Sequence, residues 1–184
     1  MVTRGNNKRT IFEDDFDREL FCRQLDRVAA KYGWRIIAYA LMGNHYHLVL
    51  AIGERGLSRG MCELNTGHAT VFNLRHGRIN HLFGKRYWNR RIRTDSELMR
   101  VVRYVVQNPR RAGVTRRLDE YRWTSYGATV GLALSRILLA KDELLALFGR
   151  TPRTAIAAFR EFCAHTAWRD TSGGSLRDGS RAPP

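Results

Sequence analysis

The order of apolar and polar residues in the first third of the chain predicts one helix and three strands. Apolar residues three and four positions apart predict a helix over residues 14–32, with Gly33 as its end. Two apolar runs, residues 34–42 and 45–52, then predict antiparallel strands joined by a tight turn. Residues 2–12, before the helix, predict a short edge strand.

Three further elements are predicted between residues 57 and 108. Helical spacing of apolar residues predicts a helix over residues 57–75, although Gly60 and Gly67 weaken that pattern. A strongly basic segment, residues 83–93, is predicted to be a strand. A third helix is predicted from Asp95 or Ser96, and it ends at Asn108 because a proline follows and disfavours helical angles in the residue before it.

The order strand, helix, hairpin, helix, strand indicates an α+β fold, with a ferredoxin-like or RRM-like antiparallel sheet and helices on one face. Two short helical patterns, residues 132–148 and 154–168, predict a C-terminal helical extension. We therefore divide the chain into a catalytic domain (1–127), a helical extension (128–168) and a tail (169–184). The tail is rich in Gly, Ser, Arg and Pro, and it is predicted to be disordered.

Composition limits the compartment and the partners. The chain has 184 residues, of which 43% are hydrophobic, and this suits a globular protein. No apolar run is long enough to cross a membrane, so no membrane partner is expected. Three scattered cysteines argue against a disulfide framework or a zinc knuckle and favour a reducing compartment, so we expect a cytoplasmic protein.

The charge of the chain predicts a nucleic-acid partner. Thirty-two Lys and Arg residues against 17 Asp and Glu residues give a net charge of +15. No acidic residue occurs between Glu63 and Asp95, an interval rich in basic and aromatic residues. Basic side chains among aromatic ones are typical of a surface that follows a phosphate backbone and stacks on unpaired bases. A solvated basic surface is the alternative. The arginines and aromatic residues of the interval between Glu63 and Asp95 are Arg75, Arg78, Arg86, Arg90, Arg91, Arg93, Phe72, Phe83, Tyr87 and Trp88.

Two histidines at the start of the predicted strand 45–52 form the first candidate site. Alternate side chains of a strand share a face, so His45 and His47 are predicted to point the same way. Two neutral imidazoles side by side supply half of a metal site. A purely structural pair of histidines is the alternative.

The third predicted helix carries the second half of the site. Tyr104 and Asn108 are four residues apart and therefore project from one helical face. Two imidazoles and an amide oxygen can hold a divalent cation, with positions left for a phosphate oxygen. The tyrosine hydroxyl can then attack phosphorus and form a covalent intermediate. Mixed nitrogen and oxygen ligands suit Mn²⁺, and Mg²⁺ can serve where phosphate completes its shell.

Several motifs together resemble one known family. They are Arg4-Gly5-Asn6-Asn7, Ala38-Tyr39-Ala40-Leu41-Met42-Gly43-Asn44-His45-Tyr46-His47-Leu48, His81-Leu82-Phe83, Arg103-Tyr104-Val105-Val106-Gln107-Asn108-Pro109-Arg110-Arg111-Ala112-Gly113 and Trp123-x-Ser125-Tyr126. This set is similar to the IS200-like tyrosine transposases, in particular their REP-associated branch within the HUH endonuclease superfamily.

The resemblance implies a metal-dependent enzyme that nicks single-stranded DNA beside a hairpin and transfers the strand through a 5′-phosphotyrosine intermediate. It implies that His45, His47 and Asn108 bind Mg²⁺ or Mn²⁺ and that Tyr104 is the nucleophile. Related enzymes occur as monomers and as dimers, so a homodimer is one expectation. We also expect DNA phosphate contacts around the site, from Arg4, Asn6, Arg86, Arg90 and Arg103.

Two other functions are compatible with the sequence. The chain starts close to Arg4, so its first strand is expected to be short, which favours a transposase-derived protein that binds DNA hairpins without cleaving them. RNA binding on an RRM-like sheet also explains the charge. That function requires aromatic stacking residues on the middle strands, and Tyr39 and Tyr46 are the candidates.

Overall fold

The computed structural model describes residues 1–53, 56–84 and 86–165. Its strands are β1 (Val2–Arg4), β2 (Arg35–Leu41) and β3 (His45–Ala51), and its helices are α1 (Asp15–Tyr32), α2 (Leu57–Arg75), α3 (Asp95–Arg111), α4 (Tyr126–Thr129), α5 (Lys141–Leu145) and α6 (Pro152–Ala164). A single 3₁₀ turn, Asn6–Lys8, follows β1. The predicted α+β class with an antiparallel sheet is confirmed.

The sheet places β3 between its two partners. The strand order is β1-β3-β2, and both pairings are antiparallel. The strand predicted over residues 83–93 is wrong as a regular strand, because its described residues, 83–84 and 86–93, make isolated bridges instead, Val2 to Trp88 and Gly5 to Phe83.

The two faces of the sheet pack against different helices. Tyr46 and Leu48 of β3 lie in one core cluster with residues of α1 and α2, which share a face as predicted. Val49 of β3 lies in a second cluster with Val102 and Val105 of α3. The predicted helix α3 therefore covers the second face of the sheet, so helices lie on both faces and not on one face as predicted. Alternation along β3 assigns each of its side chains to one cluster or the other.

The C-terminal helices share the core of α3. Phe159 and Cys163 of α6 belong to the same cluster as the apolar face of α3. The Gln107 side-chain amide on α3 donates to the Cys163 carbonyl at 2.7 Å. The helical extension is thus present and packed, and its boundary at residue 127 stays a prediction. The tail, residues 169–184, and the last residues of the predicted helix 154–168 lie outside the described residues.

The bounds of α3 correct the prediction at both ends. Its N-cap is Thr94, whose side chain accepts from the Glu97 N–H, rather than Asp95 or Ser96. The helix continues through Pro109 to Arg111 instead of ending at Asn108. The proline costs the helix one backbone hydrogen bond, to the carbonyl of Val105, and its ring is buried. Arg111 is therefore part of the helix.

Close packing explains Gly60 inside α2. A Cβ on Gly60 would lie 2.3 Å from Cζ2 of the Trp34 ring, whereas the atom nearest to a Cβ on Gly67 is the terminal amide of Gln24, a flexible side chain that can move. The helix spans residues 57–75 as predicted. The helix predicted over residues 132–148 is mostly wrong, because only α5 (Lys141–Leu145) is helical there. Leu134 is 92% exposed, so the apolar spacing around it corresponds to no buried face.

His68 of α2 is a core residue with a testable pH dependence. Its ring is 3% exposed and its Nε2–H donates to the Ile11 carbonyl at 2.8 Å. Burial lowers the pKa of His68 from 6.5 to about 4. The folded state therefore takes up its proton at a lower pH than the unfolded state. This contribution to stability is complete above pH 6.5 and is lost as pH falls toward 4.

We expect the free energy of unfolding to fall by about 3 kcal/mol from pH 7 to pH 4 through His68 alone. In His68→Gln that part of the difference should disappear, as measured by urea denaturation at both pH values. His81→Gln, which changes an exposed histidine, should keep the full difference. A His68→Gln variant with the same pH dependence as the wild type would contradict the assignment.

Candidate active site between β3 and α3

Both candidate histidines point from β3 toward α3. The ring centroids of His45 and His47 lie 5.0 Å apart. His47 is 4% exposed, whereas His45 at the start of the strand is half-buried. The predicted shared face is confirmed by this geometry. Tyr46, between them, points to the opposite face and donates its hydroxyl to Oδ1 of Asn65 at 2.5 Å.

The helix α3 brings the other two candidate residues to the histidines. The ring centroid of Tyr104 lies 5.6 Å from that of His47. Oδ1 of Asn108, one turn further along the helix, lies 3.2 Å from Nε2 of His45. The four side chains predicted to form one site therefore converge, although the strand and the helix are far apart in sequence.

Asn44 fixes the orientation of His45. Its side-chain N–H₂ donates to the Lys8 carbonyl at 3.1 Å, so its Oδ1 faces Nδ1 of His45 at 2.7 Å. Because the amide oxygen can only accept, Nδ1 carries the proton and donates it. In the neutral ring, Nε2 then presents a lone pair to the site. An outer partner of this kind is typical of a metal-binding histidine.

The resulting set of atoms fits a divalent cation. Nε2 of His45 lies 3.2 Å from the amide oxygen of Asn108, so a nitrogen and an oxygen donor face the same point of the site. Nε2 of His47 is buried and has no hydrogen-bond partner among the described residues. Burial, together with the nearby His45, lowers the pKa of His47 well below 6.5, so this ring is neutral and able to act as a ligand.

The chemistry of the donor set narrows the kind of metal. Within residues 1–53, 56–84 and 86–165, no group of three His, Cys, Asp or Glu side chains could hold a metal ion. The Asn108 amide is the oxygen donor that lies beside the histidine pair, and its role as a metal ligand stays a prediction. Two nitrogen ligands and one neutral oxygen would leave the full charge of a cation available to a phosphate, and mixed nitrogen and oxygen ligands suit Mn²⁺.

Three of the predicted phosphate contacts lie along the edge of the sheet near His45. Arg4 of β1 is the register partner of His45. Asn6 follows in the 3₁₀ turn, and its backbone N–H donates to the Leu82 carbonyl at 2.8 Å. Arg86 lies in the exposed segment beside β1. The structure thus places Arg4 directly beside His45, and it places Arg86 between the two bridges, at Phe83 and Trp88, that join its segment to β1 and Gly5.

The other two predicted contacts have partners elsewhere. Arg90 makes an ion pair with Glu97 at 2.5 Å. Arg103 stacks on the ring of Phe162 in α6, with its Cζ 4.4 Å from the ring centroid. The position before Tyr104 is turned by about 100° around the helix, so Arg103 faces α6 rather than the histidines.

Two further residues belong to the site. Asn44 lies in the predicted tight turn between the two strands, and it also orients His45. Arg111 places its Cζ 5.1 Å from the ring centroid of Tyr104. The signal for Arg111 was its spacing, because positions i, i+4 and i+7 share a helical face. The predicted end of the helix at Asn108 leaves Arg111 outside the helix and therefore off that face.

The sheet provides no stacking platform for RNA. Tyr39 and Tyr46, the predicted stacking residues, are 1% and 0% exposed. Both lie in the core between the sheet and the helices α1 and α2. The RRM-like mode of RNA binding therefore lacks its surface. Among the described residues, no helix combines the length and the apolar character needed to span a membrane.

Comparisons with known proteins agree with this architecture. The family described as Transposase IS200 like matches residues 1–108. One solved structure, described as the REP-associated tyrosine transposase bound to a REP hairpin, is similar with a TM-score of 0.59 and 17% identity; the alignment covers 76% of this chain and 82% of that chain. No curated protein matches. Because the family match spans more than half of the chain and contains all four residues of the site, the chain belongs to the IS200-like transposase family.

Proposed function

We propose that this protein is a metal-dependent enzyme that nicks and rejoins single-stranded DNA next to a hairpin. The observation that carries the proposal is the convergence of Tyr104 on the histidine pair, with 5.6 Å between the ring centroids of Tyr104 and His47. A nucleophile beside neutral imidazoles and an amide oxygen is the arrangement required for metal-assisted phosphoryl transfer. The net charge of +15 supports a polyanionic substrate.

The proposed first step exchanges one phosphoester bond for another. The phenolic oxygen of Tyr104 attacks the scissile phosphorus, and its proton passes to solvent. The bond from phosphorus to the 3′-oxygen breaks, and that oxygen takes up a proton to become a free 3′-hydroxyl. The 5′-phosphate stays bonded to Tyr104. Attack by a 3′-hydroxyl reverses the step and joins two strands, so no ATP is needed.

Five side chains have distinct roles in this step. His45, His47 and Asn108 would hold the cation, and Asn44 keeps His45 in the ligating tautomer. A bound divalent cation supplies charge neutralisation at the phosphate oxygens. Tyr104 approaches from α3, so the packing of the helix on β3 determines the angle of attack.

A DNA hairpin is the substrate we propose, for two reasons. The solved transposase with a similar fold is bound to a REP hairpin. This chain also has no acidic residue between Glu63 and Asp95, and the exposed Arg86 and Trp88 lie in that interval beside β1. Basic and aromatic side chains together suit a substrate with a duplex stem and unpaired flanking bases.

The test is a covalent adduct. Purified protein should be incubated with labelled hairpin oligonucleotides that carry single-stranded flanks, with Mn²⁺ or Mg²⁺, and resolved on a denaturing gel. With the label at the 3′ end of the oligonucleotide, we expect a slow-migrating labelled band whose mass equals protein plus the fragment on the 3′ side of the cut, which is joined to Tyr104 through its 5′-phosphate. A fully paired duplex without a hairpin is the control and should give no band. Tight hairpin binding without an adduct, across a library of stems and flanks, would instead identify the non-cleaving DNA-binding protein.

A further inference from the structure

We propose that Arg111 is the anion-binding and positioning residue of this site: it holds the ring of Tyr104 before attack and binds the phosphate that becomes attached to it. The proposal rests on the proposed function, since it assigns a role in the same reaction. It commits to one guanidinium among the many arginines of the chain. Its ligand is a phosphodiester oxygen of single-stranded DNA.

The geometry of α3 selects Arg111. Tyr104, Asn108 and Arg111 occupy positions i, i+4 and i+7 of one helix and therefore form one stripe. The Cζ atom of Arg111 lies 5.1 Å from the Tyr104 ring centroid, within the range of a cation–π contact. The stripe thus presents a nucleophile, a metal ligand and a cation in that order along the helix.

The bonding capacity of Arg111 is unused. In the part of the chain that the structure describes, its guanidinium makes no ion pair and no hydrogen bond, and its contact is the ring of Tyr104. By contrast, Arg90 is paired with Glu97 and Arg103 is stacked on Phe162. The side chain of Arg111 is exposed, so a DNA strand can reach its planar set of N–H donors.

The contact with Tyr104 places the Arg111 guanidinium beside the proposed nucleophile. Attack joins the phosphate to the phenolic oxygen, so the phosphate is drawn toward the ring that Arg111 contacts as the bond forms. Arginine donors match two oxygens of one phosphate. Arg111 therefore gains its strongest interaction only as the covalent bond forms, and an interaction of that kind accelerates the step rather than substrate binding.

If Arg111 had a purely structural role, its loss would have the same effect as the loss of another arginine in the same turn. Arginine in the last turn of a helix interacts favourably with the helix dipole, and Arg110 occupies the same turn. Arg110 has no contact with the Tyr104 ring among the described interactions. Arg110→Ala is therefore a matched control, because it removes the same charge from the same turn.

The experiment compares Arg111→Ala, Arg111→Lys and Arg110→Ala in single-turnover adduct formation with hairpin DNA and Mn²⁺. We expect Arg111→Ala to slow adduct formation about 100-fold, with less than about threefold change in hairpin affinity. Added guanidinium ion should restore part of the rate. Arg111→Lys should fall between the wild type and Arg111→Ala, and Arg110→Ala should match the wild type. Equal rates for Arg111→Ala and Arg110→Ala would overturn the proposal.

A second measurement separates this proposal from the proposed function. The Tyr104 ring resonances, assigned by comparison with Tyr104→Phe, are followed by NMR while inorganic phosphate is added without metal. We expect a saturable shift in the wild type and in Arg110→Ala, and none in Arg111→Ala. If the wild type forms no adduct, the proposed function fails, and this titration alone decides whether Arg111 binds the anion. Identical titration curves for all three proteins would refute the assignment.

Discussion

Replacing Tyr104 by phenylalanine is expected to abolish the covalent protein–DNA adduct. The substitution removes the attacking oxygen and keeps the ring that contacts His47 and Arg111. We expect the rate of adduct formation to fall by roughly 10⁴-fold or more, because no other group supplies the nucleophile. The measurement is a single-turnover time course on a denaturing gel. Hairpin affinity, measured in parallel by fluorescence anisotropy, should change less than about threefold.

Tyr87→Phe is the matched control for this variant. The Tyr87 hydroxyl lies 3.2 Å from that of Ser58, away from the histidine pair, so its loss should leave adduct formation unchanged. If Tyr104→Phe still formed an adduct, the nucleophile would be a residue other than Tyr104. Peptide mapping of the wild-type adduct would then identify that residue.

Replacing His47 by alanine is expected to give the second largest loss. His47 is buried, and its Nε2 has no partner within the described residues, so a bound cation is the group that would satisfy it. We expect adduct formation to fall about 100-fold to 1,000-fold in His47→Ala, comparable to the loss of a major electrostatic contact to the reacting phosphate. Removal of metal from the wild type by EDTA should have the same effect. Added Mn²⁺ should restore adduct formation in the EDTA-treated wild type but not in His47→Ala.

Metal binding itself gives a readout independent of activity. The electron paramagnetic resonance signal of free Mn²⁺ should decrease on addition of wild-type protein and stay unchanged with His47→Ala. His81→Ala, which alters an exposed histidine, should bind Mn²⁺ as the wild type does. Adduct formation at the wild-type rate in EDTA would exclude a metal-dependent mechanism. Unchanged hairpin binding in His47→Ala, with no adduct from either protein, would support a protein that only binds DNA.

The geometry of the candidate site was predictable where it depends on local periodicity. The two-residue period of a strand places His45 and His47 on one face, and the helical period places Tyr104 and Asn108 on another. Each rule holds within a single element, so residue spacing was sufficient. The meeting of the two pairs follows from residue chemistry and family resemblance rather than from periodicity, since no local pattern states which face of a sheet a helix covers.

The remaining features depend on tertiary contacts that residue spacing does not encode. Asn44 is oriented by the carbonyl of Lys8, which comes from a different turn. Arg111 became part of the site only because α3 continues through Pro109, where packing outweighs the local preference of the residue before proline. The exposed Leu134 imitates helical spacing without a surface to cover it.

The position of β3 in the sheet has a consequence for how this protein can evolve. Its backbone is hydrogen-bonded on both sides, by β1 and by β2, and its inward side chains hold one core while the histidines face away from that core. Selection for a stable fold therefore acts on a different set of side chains from selection for the proposed DNA cleavage. A descendant that lost a single imidazole would keep its architecture and its positive surface. Under the proposed function, a change in one histidine codon would therefore leave a host with a protein that still binds DNA but no longer cleaves it.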